Sequence, residues 1–426
     1  MIRAVAIVTL LLASAADVPC QDGGFTPLFE AWRTDGPVSQ IAWKFRTFPA
    51  TLSPHQRLVQ RFEVEVDAAE IQKRRGRGVV FLLEVEDPSG RRARIREVID
   101  LTEIPADGKV AAMTWRQDAF VLPGVYKVSV AVDDPSVKEH SFLTREVKVQ
   151  LRQSDPLPAM WKDLPAVEFL PRHEQTDSWF QPYMRGKLNL PVLSRRPIQI
   201  EIVMNTTLSE TVQDSPGAFL WNMSLLVPAL RVLSEMSVQN GSLNVTVLDL
   251  VSRKKWEQKD VRSGLDWRRM REPFASKTPG VIDAQSLAGK AQMRQFFWES
   301  VLDKLRMPAQ KSGSRPLRVV IVLSSPVFLE RQYKVEPPGF PKDPNARVYY
   351  LRYRPLQPDP PMVPGGALGV PSVSEVIAVP PPPAMSLPSD DLENTLKLLD
   401  AKVFSLVSAE QFRRALATIL SDVGRM

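Results

Sequence analysis

The apolar residues keep two different rhythms in the two halves of the chain, and no single sheet or helical bundle satisfies both. Between residues 41 and 151 they alternate in period two, with turn residues between the runs, the pattern of half-buried strands. From 198 onward short continuous apolar runs alternate with stretches of helical spacing, the signature of a parallel or mostly parallel sheet with helices between its strands. At 426 residues the chain also exceeds what one hydrophobic core usually holds. A multidomain protein is expected, with a domain over 25–152, a Pro-rich linker over 153–197 and a second domain over 198–426.

In the first domain the period-two runs predict strands over 41–48, 57–66, 78–86, 91–101, 113–122, 125–133 and 142–151. Asp87-Pro88-Ser89-Gly90 predicts a tight hairpin, because proline presets the first central position and glycine tolerates a left-handed one. Tyr126, Val128, Val130 and Val132 share one face and should fill a core. Seven strands in so short a stretch point to an immunoglobulin-like β-sandwich.

The second domain reads as a strand over 198–204, a helix over 218–238 and a strand over 242–251 with a hairpin partner at 255–259. A helix over 284–306 follows, then the continuous run Val319 to Leu323, which suits a strand buried on both faces. Further elements are a strand over 347–354, a helix over 390–400, a strand over 402–407 and a helix over 409–422. Eleven prolines fall within 355–388, so this insertion is expected to be extended and solvated.

Arg3, the apolar run 4–12 and Ala13-Ser14-Ala15 have the order of a secretory signal peptide, removed after about residue 15. A secreted or periplasmic protein is expected. No other stretch is apolar enough to predict a transmembrane segment. Cys20 is the sole cysteine, so no intramolecular disulfide can form. The preceding Asp17-Val18-Pro19 differs from the residues before lipidated cysteines, and no lipid anchor is expected at Cys20.

Motifs for phosphate binding, nucleophilic hydrolysis and zinc binding are missing, and His55, His140 and His173 are far apart in sequence. The net charge of +7 gathers at Lys73-Arg74-Arg75-Gly76-Arg77 and at Trp267-Arg268-Arg269 with Arg271, both read as solvated turns. Neither carries the long basic stripe of a nucleic-acid binder, so no nucleic acid is expected; an anionic surface polymer suits them better. The sequons at Asn205, Asn222, Asn240 and Asn244 fall on predicted elements and are read as chance.

The end of the first strand of the second domain, Asn205-Thr206-Thr207-Leu208-Ser209, is where open α/β sheets place ligands. This constellation, with the element order over 198–426, resembles a von Willebrand factor A domain. More narrowly it resembles the bacterial exported VWFA-related proteins, in which a β-sandwich precedes such a domain. The resemblance implies a Rossmann-like α/β fold of the von Willebrand factor A type. It also implies a metal-ion-dependent adhesion site, in which Asn205, Thr207 and Ser209 stand at the Asp-x-Ser-x-Ser positions, Ser324-Ser325 stand at an expected aspartate, and Thr278 is the candidate threonine. Every carboxylate of that site is replaced by a neutral group. No cofactor is therefore expected, since Mg²⁺ is normally held through carboxylates. The reading is a non-catalytic binding or adhesion protein recognising a protein or an anionic surface polymer through Asn205, Thr207, Ser209, Ser324 and Ser325. The alternatives are a cell-envelope hydrolase with scattered carboxylates and a structural subunit assembling through edge strands; the sequence leaves the oligomeric state open.

Overall fold

The computed structural model describes residues 26–102, 112–150, 155–170, 186–209, 218–275, 281–282, 284–306, 316–329, 343–353 and 390–426. The signal sequence, Cys20, Thr278 and the insertion 355–388 lie outside the described residues. The chain divides into two compact units between Leu190 and Pro191, and most of its regular structure is strand.

The first unit contains helix α1 (Thr26–Asp35) and strands β1 (Val38–Ser39), β2 (Trp43–Thr47), β3 (Thr51–Leu52) and β4 (Leu58–Val66). Helix α2 (Ala68–Lys73) follows, then β5 (Gly78–Glu86), β6 (Arg92–Asp100), β7 (Met113–Val121), β8 (Gly124–Asp134), β9 (Glu139–Val149) and β10 (Val167–Phe169). They form two five-stranded sheets, ordered β1-β9-β8-β5-β6 and β10-β7-β4-β2 with β3 on β4, and these strands pair antiparallel. The Asp87 carboxylate accepts the backbone N–H groups of Ser89 and Arg91, and Gly90 takes the left-handed conformation at φ 82°, which closes the predicted hairpin between β5 and β6. Phe81 stacks on Trp115 across the two sheets at 5.3 Å between ring centroids. Tyr126, Val128, Val130 and Val132 are buried as expected. The Tyr126 hydroxyl donates to the Leu122 carbonyl at 2.7 Å and accepts its N–H at 3.1 Å, locking the turn that enters β8.

Several features of this unit depart from the sequence reading. Helix α1 covers the outer face of one sheet, where Phe29 and Trp32 pack on Val80, Leu82, Ala131 and Phe142. The stretch read as linker is partly structured: β10 pairs with β7, and Trp161 and Leu164 are buried. The basic run 73–77 does form a turn, with Lys73 and Arg77 exposed, but one of its charges is not solvated: Arg74 is 2% exposed and forms ion pairs with Glu70, Asp134 and Glu139. A buried guanidinium needs such partners.

In the second unit, β11 (Leu190–Val192) spans the division. After it come β12 (Ile198–Asn205), β13 (Leu208–Ser209), α3 (Ala218–Ser234), β14 (Met236–Val238), β15 (Gly241–Asp249), β16 (Lys254–Gln258), α4 (Trp267–Ala275), β17 (Val281–Ile282) and α5 (Lys290–Leu305). The unit ends with β18 (Leu317–Ser324), β19 (Ala346–Tyr353), α6 (Asp391–Lys397), β20 (Lys402–Leu406) and α7 (Ala409–Gly424). Six strands form one sheet ordered β16-β15-β12-β18-β19-β20, parallel except for β16, which returns antiparallel on β15. Helices α5 and α6 cover one face, packing on Val203, Leu248, Val320, Val322 and Tyr350. Helix α7 lies on the other, where Phe412 meets Tyr353 at 6.1 Å. Gly241 opens β15 with φ 149°, and a Cβ there would lie 1.7 Å from the Ile198 carbonyl oxygen, so the β12–β15 pairing requires glycine at this point.

Two expectations need correction here. The helix predicted over 218–238 stops at Ser234, and Met236–Val238 is a short strand; apolar residues spaced for one helix face continue past its end. The Trp267–Arg271 cluster lies in α4 rather than in a turn, with Met270 buried beneath exposed Arg268 and Arg269.

Candidate functional site

The candidate residues gather where β12 and β18 run side by side and end. The chain leaves β12 toward β15 on one side and later crosses back to β18 on the other, and such reversals of strand order are where open parallel sheets leave a crevice. Asn205 is the last residue of β12 and Ser324 the last of β18.

The side chains at this end turn inward and bond to one another. Asn205 is fully buried. Its Oδ1 accepts the Thr207 N–H at 3.0 Å, and its Nδ2 donates to Ser324 Oγ at 2.9 Å and to the Thr207 carbonyl at 3.2 Å. Thr207 Oγ1 donates to Asp249 Oδ1 at 3.3 Å and accepts the Leu250 N–H at 2.7 Å. Thr206 Oγ1 reaches the Leu248 carbonyl at 3.0 Å, and Ser324 Oγ donates to the Ser325 carbonyl at 2.6 Å. Thr206, Thr207, Ser324 and Ser325 are all buried. The ends of β12, β15 and β18 are thus stitched together by a plug of amide and hydroxyl groups, with the Asp249 carboxylate at the end of β15.

Of the predicted set, the structure brings Asn205, Thr207 and Ser324 into direct or shared hydrogen bonds and places Ser325 beside them. Ser209 continues into β13, which pairs with β17. Burial of Asn205 and Asn244 also removes both as glycan acceptors. The donor set does not fit Mg²⁺, which keeps several waters and binds through one or two carboxylates. Here the Asn205 and Thr207 oxygens already accept backbone N–H groups, and an amide N–H₂ points at Ser324. Among the described residues no group of three or more His, Cys, Asp or Glu side chains is placed to hold a metal ion.

Sequence reasoning missed a second polar centre at the same edge. Asp390 caps α6: its Oδ1 accepts the N–H groups of Leu392 and Val327, both at 3.1 Å, and its Oδ2 accepts the Tyr350 hydroxyl at 2.9 Å. Asp391 takes the Arg294 guanidinium at 2.9 Å on one oxygen and the Leu329 N–H at 2.7 Å on the other. Together they clamp the segment that follows β18. Burial pushes the Asp390 carboxyl up to about 6, against the opposing pull of the Val327 N–H, the Tyr350 hydroxyl and the Arg352 charge. Burial, and then the neighbouring carboxylate, raise the Tyr350 hydroxyl well above its ordinary value. The only sequence signal for this centre is the Asp-Asp pair opening an apolar helix, which reads as an N-cap and nothing more.

No protein-family model matches the chain, and comparison with curated proteins likewise returns no match. Among solved structures, the β-glucuronidase of Parabacteroides merdae is 12% identical, with 37% of this chain and 17% of that chain covered at a TM-score of 0.18. A family 2 glycosyl hydrolase from Bacteroides cellulosilyticus is 10% identical, covering 66% and 36% at 0.18. A family 123 glycoside hydrolase from Clostridium perfringens is 8% identical, covering 73% and 67% at 0.20. Likenesses this remote carry neither fold nor function over to this chain.

Proposed function

We propose that this is an exported, non-catalytic binding or adhesion protein, an immunoglobulin-like sandwich followed by a von Willebrand factor A-like domain that has lost its metal site. Its partner is a protein or an anionic surface polymer. The observation that carries the reading is the hydrogen-bonded plug at the strand-order reversal: groups that would offer oxygens to a cation, the Asp249 carboxylate included, are spent on holding three strand ends together. Supporting it are the single antiparallel edge strand on an otherwise parallel sheet and the Tyr126 hydroxyl bonded four residues upstream, a device of immunoglobulin-like sandwiches. The neighbouring carboxylates of Asp249, Asp390 and Asp391 each accept backbone N–H groups, which suits a structural role better than acid–base work. Among the described residues no helix is long and apolar enough to cross a membrane. Export rests on Arg3, the apolar run and Ala13-Ser14-Ala15, and intact mass of the protein from its host tests it: loss of about 15 residues is expected, and a chain retaining Met1 sinks the idea.

Two measurements test the binding reading. The purified chain should cosediment with envelope material of its host; a chain left wholly in the supernatant overturns it. Millimolar Mg²⁺ or Mn²⁺ should leave the melting temperature unchanged, whereas a ligand at 100 times its Kd would add about 2.7 kcal/mol. Asn205→Asp with Ser324→Asp should make melting cation-dependent. A wild-type response to Mg²⁺ would instead favour metal-dependent adhesion.

A further inference from the structure

At the same end of the sheet as the plug, the chain reverses from β15 into β16 over residues 250–253. The Asp249 carboxylate accepts the N–H groups of Val251 and Ser252 at 3.0 and 3.1 Å, and Leu250 is tied to Thr207. The residue closing the turn is Arg253, in the left-handed conformation at φ 52°, where glycine or asparagine sits with less strain. Exposed Lys254 and Lys255 follow it. Helix α4, beside β16, presents exposed Arg268 and Arg269. Over residues 253–271 eight Lys and Arg stand against three Asp and Glu, a surplus of five where the whole chain's surplus is seven.

Lysines on an open edge strand keep it from pairing with other strands, which accounts for Lys254 and Lys255. It accounts neither for an arginine held at a turn position suited to glycine nor for the arginines of a neighbouring helix. Half-exposed Trp256 and Trp267 lie among these cations. Among the described residues the large apolar side chains exposed in this unit, Leu193 and Val407, lie outside this segment, whereas a membrane-docking surface carries apolar residues to insert. Guanidinium groups hold carboxylates through paired hydrogen bonds, and indole rings offer an amphipathic face to a sugar ring.

We propose that this edge, from the Arg253 turn along β16 to Arg268 and Arg269, docks an acidic polysaccharide. The inference rests on the binding reading and deepens it by naming the partner's chemistry and the surface that meets it.

Titration of the full chain with polygalacturonate, followed by tryptophan fluorescence, tests it. Wild type should bind at 50 mM NaCl and weaken at least tenfold at 200 mM, with no binding to neutral dextran; the salt range is chosen from about one Debye length at 0.05–0.2 M. Arg253→Gly with Arg268→Ala and Arg269→Ala should lose at least tenfold in affinity. The charge-matched control Lys44→Ala, Arg46→Ala and Arg61→Ala, which changes exposed residues of the sandwich, should lose less than twofold. Arg253→Gly alone should weaken binding about threefold while the melting temperature holds or rises, because glycine relieves the turn. Equal losses in the two triple variants, binding to dextran, or tighter binding to double-stranded DNA or phosphatidylglycerol vesicles would each overturn the proposal. Absence of polymer binding with cosedimentation intact overturns this proposal and leaves the binding reading standing; absence of both sinks both.

Discussion

Two polar centres hold the carboxyl edge of the second unit, and they do the same task with opposite chemistry. Around Asn205 amide and hydroxyl groups satisfy one another and the backbone of three strands, and one carboxylate, Asp249, accepts the Thr207 hydroxyl. Around Asp390 and Asp391 two carboxylates clamp the Val327–Leu329 segment with help from Arg294 and Tyr350. Hydrogen bonds of amide and hydroxyl groups to one another and to the backbone do not titrate. A buried carboxylate ties the same kind of cross-link to the proton concentration, and at Asp390 the tie falls near pH 6.

The largest expected effect is at the charged centre. Asp391→Ala takes the buried carboxylate from the Arg294 guanidinium, itself 14% exposed, and from the Leu329 N–H, and should lower stability by about 3–5 kcal/mol in chemical denaturation of the full chain. A loss under 1 kcal/mol would mean that water reaches this pair and that the contrast between the centres is false. Next is Asn205→Leu, which leaves the Thr207 N–H, the Thr207 carbonyl and Ser324 Oγ short of a partner. It should cost about 2–4 kcal/mol, by the same amount at pH 5 and pH 8. A pH-dependent loss would show that the Asp249 carboxylate, which accepts the Thr207 hydroxyl, carries part of the plug.

Asp390→Asn sharpens the contrast through linkage. The folded pKa of about 6 lies above the ordinary aspartate value of 3.8, so between these values the folded state holds more protons than the unfolded state, and stability falls as pH rises. The full difference corresponds to about 3 kcal/mol, absent below pH 4 and complete above pH 6. Carboxylates held low, such as Asp87 and Glu257, slope the other way, so the useful quantity is wild type minus variant. Asparagine keeps the cap without a charge, and the variant should gain on wild type by up to about 3 kcal/mol between pH 4 and pH 7. A flat difference would show that Asp390 ionises freely. The smallest effect is Tyr350→Phe, about 1 kcal/mol. Because the hydroxyl favours the charged carboxylate, its loss should also move the Asp390 transition to higher pH.

Legibility in the sequence followed the kind of burial. The first unit's seven long strands could be read with small errors at their ends, since an antiparallel strand with one solvated face records that face in every second residue. The central strand β18 was equally plain as a continuous apolar run. What escaped were elements whose burial depends on partners remote in sequence. Val167–Phe169 forms a strand only because β7 offers an edge, and α4 is helical beneath a run of arginines because Met270 finds a core. Arg74 is buried because Glu70, Asp134 and Glu139 surround it. At the candidate site the strand ends were placed, yet nothing local indicated that Asn205 and Ser324, 119 residues apart, would bond to each other, or that Asp390 would reach Val327.

The two-unit division, the run of strands and helices, and the strand ends that lie near the reversal of strand order can all be read from the amino-acid order alone. Those features are written in periodicity, and periodicity is set by the geometry of one element against water. That the polar residues at those ends close into a plug, that a separate carboxylate clamp shares their edge, and that the surplus positive charge lines one side of the sheet emerge only in the folded chain. Each of these depends on which strands become neighbours. Strand order is fixed by packing across the whole sheet, and no local stretch of residues records it.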